Sequence, residues 1–193
     1  MEELTARQQE IIEVAIRLIA EGGIQNLTMK KLAHRIGISE PAIYRHFQSK
    51  IEILHSMLIQ FKHRSESLLE RAHSFEGSAR TTLEKIFLDH AGQFIQHPHM
   101  AAVVFSEEAF QDHSRLSQEV FTVMNNAHES LMVIIERGQR AGEIRDDVAS
   151  EHLALMILGV LRLTVKRWRL SANSFDLAEE IRAVWKSLDA VLV

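Results

Sequence analysis

The 193-residue sequence contains no cysteine, two prolines and eight glycines. Without cysteine the chain can form no disulfide, no thiolate metal site and no cysteine nucleophile. The shortage of proline and glycine predicts few turns and few interrupted helices. One tyrosine and two tryptophans, with few runs of β-branched residues, give little support to a sheet. An all-helical protein is therefore predicted.

Long apolar runs are also missing. No run approaches the roughly 18 residues that a membrane-spanning helix needs. The longest, residues 153–161, contains Gly159 and is followed directly by Arg162. The first residues, MEELTARQQEII, are acidic and polar and lack the basic and apolar segments of a signal peptide. These absences predict a cytoplasmic protein that does not bind a membrane.

Charge is distributed unevenly along the chain. The formal net charge is −4, yet residues 1–65 carry nine basic against seven acidic side chains. The basic residues between positions 28 and 50, where Glu40 is the single acid, are Lys30, Lys31, Arg35, Arg45 and Lys50. A local basic patch on an acidic protein is typical of a contact with DNA phosphates. From charge alone, a solvated helix face remains the alternative.

Apolar residues recur at helical spacing along most of the chain. Two short helices are expected to begin after Thr28 and Ser39, and longer ones lie at about residues 5–21, 50–73, 80–96, 99–111, 114–140, 149–170 and 175–192. Short helices with tight turns fill the first 48 residues, and the rest is typical of a helical bundle. Two domains are therefore expected, residues 1–48 and 49–193, and the helix from Lys50 links them.

The pattern between residues 28 and 47 predicts a helix-turn-helix. Thr28 and Ser39 stand where N-caps are needed, and Pro41 falls in the first turn of the second helix. Ala33 is small enough for a close helix crossing, and Gly37 tolerates the positive φ of the turn. The apolar residues that would pin the two helices to a third are Leu32, Ile36, Ile38, Ile43 and Phe47.

The stretch TMKKLAHRIGISEPAIYRHFQSK, residues 28–50, resembles the DNA-binding segment of the TetR family of bacterial transcriptional regulators. Its ending, Tyr-x-His-Phe-x-x-Lys, is especially characteristic. The motif covers about the first quarter of the chain, and the rest resembles the family in helical architecture and length. The resemblance implies an all-α protein in which a three-helix DNA-binding domain is joined to a C-terminal helical-bundle domain for ligand binding and dimerisation.

The resemblance also implies contacts with the DNA backbone. Hydroxyl, imidazole and ammonium groups would hold phosphates, and a helix N-terminus favours an anion. Ser39, at the start of the reading helix, is also expected to contact DNA. The positions expected to contact phosphates are Thr28, Lys30, Lys31, Tyr44, His46 and Lys50. For Tyr44 the alternative is a packing residue whose hydroxyl is exposed.

Base contacts are expected from the start of the second helix. Pro41 and Ala42 would lie against base edges, where small apolar groups touch a thymine methyl. Arg45 is the best candidate for a direct hydrogen bond to a base, with a phosphate contact as its alternative. Glu40 would accept from a cytosine amine or stabilise the helix N-terminus.

The C-terminal part is rich in phenylalanine and methionine, which favours a pocket for a small, largely apolar effector. Ordinary core packing is the alternative for each of these residues. Two histidines on apolar helices would orient a polar head group. The predicted pocket residues are Met57, Phe61, Phe87, His90, Phe94, Phe105, Phe121, Met124 and His128. No cofactor is expected, and no zinc site either, because the near pairs His97/His99 and Asp89/His90 lack suitable spacing.

The last two helices carry more apolar surface than a lone hairpin needs, which predicts a homodimer that binds a palindromic operator. The expected interface residues are Leu153, Met156, Ile157, Val160, Leu161, Ile181, Val184, Trp185 and Leu188. The basic cluster at residues 166–169 lies at a helix C-terminus, where cations are favoured, and is interpreted as capping.

Two functions follow from these patterns. The leading hypothesis is a ligand-responsive repressor, in which an effector moves the helix from Lys50 and changes the spacing of the reading heads. The alternative is a ligand-independent DNA-organising protein whose C-terminal bundle binds a protein partner. An enzyme is not expected, because no catalytic constellation stands out.

Overall fold

The fold is that of a computed structural model, which describes residues 4–73, 77–98, 100–105 and 113–193. Within these ranges the chain is helical and has no strand, so the all-α prediction is confirmed. The elements are α1 (Ala6–Gly22), a 3-10 turn (Ile24–Asn26), α2 (Met29–Ile36), α3 (Glu40–Tyr44), α4 (Lys50–His73), α5 (Ala79–Gln96), α6 (Met100–Val104), α7 (Ser114–Arg140), α8 (Ser150–Leu170) and α9 (Leu177–Leu192). None of the helices in these ranges combines the length and the apolar character needed to span a membrane.

Helix boundaries follow the local signals in the sequence. The Thr28 hydroxyl accepts a hydrogen bond from the Lys31 amide at 3.1 Å and so caps α2. Gly37 ends α2 in the left-handed conformation, with φ of 80°. The helix expected over residues 99–111 is α6, which ends at Val104; residues 99 and 106–112 lie outside the described part of the chain.

The chain divides into two compact units. The N-terminal unit comprises residues 1–61 and 99–120, and the bundle unit comprises residues 62–98 and 121–193. Helices α4 and α7 each have residues in both units. The expected division at residue 48 follows the end of the helix-turn-helix, whereas the first turns of α4 pack with that motif and belong to its unit.

The N-terminal unit has one apolar core. Ile11, Ile12 and Ile19 of α1 are fully buried, together with Leu32 of α2 and Ile43 of α3. The core continues into α4, α6 and α7 through Ile53, Leu54, Met57, Leu58, Ala102, Val103 and Leu116. The reading helix is therefore held by tertiary packing, since five residues are too few to be helical alone.

In the bundle unit, α5 packs against α8 and α9. The rings of Phe87 and Trp185 are 5.4 Å apart between centroids and tilted by 44°. At the start of α5, Arg80 Nε donates to Asp189 Oδ1 of α9 at 2.8 Å. A close approach at Gly138 of α7 completes this end of the unit: a Cβ there would lie 2.7 Å from the Cβ of Ala79.

Candidate nucleic-acid interface

The helix-turn-helix is built around the crossing of α2 and α3. Ala33 is 3% exposed, and its small side chain leaves room for the turn to pack over it. Its carbonyl oxygen accepts hydrogen bonds from the amides of Gly37 at 2.9 Å and Ile38 at 3.0 Å. Ile43 and Phe47 are buried and anchor the second helix from its inner side. The small residue and the glycine therefore have the positions that the motif requires.

The outer side of α3 faces solvent. Pro41, Tyr44 and Arg45 are exposed, and Tyr44 retains 48% of its accessible surface. Ser39 occupies the N-cap position, but its side chain makes no cap hydrogen bond there. The Ser39 hydroxyl is thus not used for capping. Tyr44 presents an exposed aromatic ring and Arg45 an exposed guanidinium, while the opposite side of the helix is buried. A helix with such an exposed side is suited to insertion into a DNA groove.

Partly exposed residues complete the face of α3. They are Glu40, Ala42 and His46. The backbone carbonyl of His46 accepts from Gln8 Nε2 of α1 at 3.4 Å, a contact between residues 38 positions apart. This bond holds the end of the reading helix to α1. The eleven expected DNA contacts all lie in the N-terminal unit.

The start of α2 adds cations to this interface. Thr28, Lys30 and Lys31 are exposed. The Lys31 ammonium already donates to the side-chain oxygen of Asn26, and the side-chain nitrogen Nδ2 of Asn26 donates to the Leu18 carbonyl at 2.8 Å. The turn between α1 and α2 is therefore fixed by its own side chains.

Two contacts at this interface were missed in the sequence. Arg35 donates to both carboxylate oxygens of Glu21, at 3.0 and 2.8 Å. The hydrogen bond from Arg35 lowers the pKa of Glu21. Arg35, one of the cations of the basic patch, is thus already paired with an acid of α1. The Lys50 ammonium donates to the Ile24 carbonyl at 2.6 Å, and burial lowers the pKa of Lys50. No local signal could have revealed either pair, because the partners are far apart in the chain.

Two family models match consecutive parts of the chain. Residues 11–57 match the model described as bacterial regulatory proteins, tetR family. Residues 58–190 match the model for the C-terminal region of YsiA-like proteins. The chain belongs to the tetR family. It is a DNA-binding transcriptional regulator, as the helix-turn-helix predicted.

Three known proteins show the extent of the similarity. The fatty acid metabolism regulator protein of Bacillus subtilis is 27% identical over 179 residues, which cover 92% of this chain and 91% of that protein. The nucleoid occlusion factor SlmA of Vibrio atlanticus is 27% identical over 191 residues, 95% of this chain and 94% of that protein. The structure of the regulator FadR from Bacillus subtilis in complex with stearoyl-CoA shares the fold, with a TM-score of 0.77 and 24% identity over 96% of this chain and 99% of that chain.

The residues expected to line an effector pocket lie in both units of this tetR-family regulator. Met57, Phe61 and Phe105 belong to the N-terminal unit. In the bundle unit, the apolar side chains that are buried are Phe87 and Phe94, whereas Phe121 and Met124 are 63% and 48% exposed. His90 is partly buried with its ring 5.8 Å from that of Phe94, and His128 Nε2 is 3.0 Å from the Glu151 carbonyl oxygen. The pocket assignment stays a prediction.

A polar groove of about 470 Å³ between α4 and α5 was not expected from the sequence. Its polar lining comes from His63, Arg64 and Ser67 on one side and from Asp89, Gln93, Gln96 and His97 on the other. We call it the α4–α5 groove. All of these residues belong to the bundle unit.

The residues expected at the dimer interface divide by exposure. Leu153, Ile157, Leu161, Ile181 and Trp185 are buried within the single chain and contribute to its core. Met156 is 49% exposed, and Val160, Val184 and Leu188 are partly exposed. The most exposed apolar residues of α8 are instead Leu155, Leu163 and Leu170, at 61%, 59% and 76%.

Proposed function

We propose that this regulator binds a palindromic operator as a homodimer in the bacterial cytoplasm and is released from it by a fatty acyl thioester. The observation that carries the DNA-binding part is the exposed side of α3, with Tyr44 and Arg45 directed away from a buried anchor at Ile43. The effector part is supported by the similarity to a fatty acid metabolism regulator and to a fold that holds stearoyl-CoA.

Within this proposal the residues of α3 divide by role. Arg45 reads a base edge, and Tyr44 and His46 hold phosphates on either side of it. Lys30 adds a phosphate contact from α2. Because each neutralised phosphate releases a counterion, replacing Lys30 by methionine should weaken binding to all sequences and reduce the salt dependence by about one unit of slope.

The dimer surface that we propose lies on α8. Leu155, Gly159 and Leu163 follow one another at intervals of four residues and form an exposed stripe, with Met156 beside it. Side chains four residues apart share a helix face, and exposed apolar stripes of this kind are suited to a two-fold contact with the same stripe on a second copy. The buried residues of α8 and α9 support this surface from within.

We place the acyl chain within the apolar interior of the bundle unit. Phe87 and Phe94 are buried on α5, and burial lowers the pKa of His90, beside Phe94, to about 4. His90 is therefore neutral at physiological pH and adds no charge next to an apolar ligand. Because α4 has residues in both units, displacement of α4 by a ligand is the proposed route to the reading head.

The proposal is tested by selecting operators from a random-sequence duplex library with the full-length protein. We expect the selected sequences to be palindromic, and a gel-shift assay to show release of the selected operator by lauroyl-CoA but not by coenzyme A. Arg45→Ala should reduce the preference for the selected operator over random DNA. Binding that no acyl thioester and no fatty acid changes would contradict the effector part.

A second function is favoured by the similarity to the nucleoid occlusion factor SlmA. In that case the protein marks DNA sites and the exposed leucines of α8 receive a protein partner. The gel-shift assay distinguishes the two functions, since a DNA-organising protein would keep its operator at every concentration of every acyl thioester and fatty acid tested.

A further inference from the structure

The α4–α5 groove contains an acceptor that lacks a donor. Gln93 Oε1 is shielded from water and has no hydrogen-bond partner among the residues that the structure describes. A buried carbonyl oxygen that has lost its hydrogen bonds to water destabilises the folded state unless a donor replaces them. Gln93 is on the lining of an open groove. A ligand N–H or O–H group in the groove would satisfy this oxygen once the Gln93 side chain turns toward the groove.

The same groove carries cationic and ionisable side chains. Arg64 and His63 enter from α4, and His97 enters at the end of α5. The one acid in the lining, Asp89, has its carboxylate 3.0 Å from the Lys85 ammonium, which offsets its charge. Burial lowers the pKa of Arg64, so its guanidinium lies in a partly desolvated site where an attraction to an anion is stronger than in water.

Three polar residues at the C-terminal end of α5 lie on one side of the helix. Positions 90, 93 and 97 are spaced by three and four residues, so His90, Gln93 and His97 share one side of α5. His97 is exposed, Gln93 is partly buried, and His90 lies beside the ring of Phe94. This side of α5 thus changes from the exposed His97 to the partly buried Gln93 and His90.

From this arrangement we infer that the α4–α5 groove binds the pantetheine arm and phosphates of an acyl thioester, an inference that rests on the proposed function. Gln93 Oε1 accepts an amide N–H of the arm. Arg64 holds a phosphate, for which a planar guanidinium is well suited. The groove therefore makes the regulator prefer a coenzyme A thioester over the free fatty acid with the same chain.

Calorimetric titration with three probes tests this inference on the full-length protein. The probes are lauroyl-CoA, laurate and coenzyme A. We expect the wild-type protein to bind lauroyl-CoA at least about tenfold more tightly than laurate, a difference of about 1.4 kcal/mol. Arg64→Met and Gln93→Leu should each weaken lauroyl-CoA binding about five- to tenfold and leave laurate binding unchanged, because they remove only head-group contacts.

Two further variants control for folding and for charge. Arg64→Lys keeps a cation in the groove and should retain more affinity for lauroyl-CoA than Arg64→Met. Arg140→Met removes an exposed cation of α7 outside the groove and should bind all three probes like the wild type. Thermal midpoints equal to that of the wild type identify variants that are folded.

The outcomes separate this inference from the function on which it rests. If the wild type binds lauroyl-CoA and the Arg64 and Gln93 variants bind it equally well, the groove is not the head-group site and the proposed function stands. Equal binding of laurate and lauroyl-CoA by the wild type overturns the groove inference in the same way. If neither lauroyl-CoA nor laurate binds, the effector proposal itself fails.

Discussion

The ammonium of Lys50 lies 2.6 Å from the carbonyl oxygen of Ile24, 26 residues earlier in the chain. Ile24 begins the 3-10 turn that leads into α2, and Lys50 begins α4. The bond therefore joins the first turn of α4 to the segment just before the helix-turn-helix. A displacement of α4 at this end must either carry that segment with it or break the bond.

Replacing Lys50 by methionine removes this bond but keeps the length of the side chain. We expect Lys50→Met to lower the free energy of unfolding by about 1 kcal/mol, because the Ile24 carbonyl loses a charged donor at a partly exposed site. Urea unfolding measures this loss. Lys30→Met is the matched control: Lys30 is exposed, so its replacement should change stability by less than about 0.5 kcal/mol. Equal stabilities of the two variants would mean that the Lys50–Ile24 bond contributes nothing.

The Glu21–Arg35 pair predicts a weak acid sensitivity of the N-terminal unit. The Arg35 hydrogen bond lowers the pKa of Glu21 from 4.5, so the stabilisation is present above that pH and is lost as the pH falls through the lower, folded value. Both side chains are about half exposed, and solvent screening keeps the effect small. In thermal melts between pH 3 and 7, Glu21→Gln should flatten the acid limb slightly, whereas Glu13→Gln on the same helix should not.

Gly138→Ala should destabilise the bundle unit. The new Cβ would lie 2.7 Å from the Cβ of Ala79 and 2.6 Å from Cδ1 of Ile144, and Ala79 is held by a 2.6 Å bond from its amide to Glu143. We expect a loss of about 2 kcal/mol, typical of overpacking, measured by urea unfolding. Gly92→Ala is the control, because a Cβ there meets nothing within 4 Å. A neutral Gly138→Ala would show that α5 and α7 can separate at no cost.

His90 predicts a loss of stability in mild acid. Burial lowers the pKa of His90 from 6.5 to about 4. Between these values the unfolded chain binds a proton that the folded chain does not, so stability falls as the pH is lowered from 6.5 toward 4. The loss is at most about 3 kcal/mol. His90→Leu should reduce the slope of stability against pH in this window, while His152→Leu, at an exposed position of α8, should retain it. Identical slopes for wild type and His90→Leu would contradict the burial of a neutral imidazole.

The proposed dimer surface predicts different effects of charge on two helices. Leu163 of α8 and Val133 of α7 are 59% and 56% exposed. Leu163→Glu should shift the protein to a monomer in sedimentation experiments, because a carboxylate would be buried against its symmetry mate. Val133→Glu should leave the dimer intact. A dimer that survives the first change but not the second would place the interface on α7.

Most helix boundaries and the helix-turn-helix itself could be predicted from the sequence. Caps, turn glycines and helical spacing act within one or two helical turns. Thr28 therefore begins α2 and Gly37 ends it, as local chemistry requires. The exposed face of α8 could not be located in the same way. Its apolar residues occur on more than one side, and only the packing of the bundle shows that Leu153 is buried while Leu155 is not.

The sequence by itself determined the class of the fold, the position of the reading helix and the family, because these depend on short patterns of caps, small residues and charge. The tertiary structure decided which cations are already engaged and where an open groove lies. Lys50–Ile24, Arg35–Glu21 and Arg80–Asp189 join residues 26, 14 and 109 positions apart. Such pairs and the α4–α5 groove arise only when helices pack, since packing brings distant side chains together and removes their water.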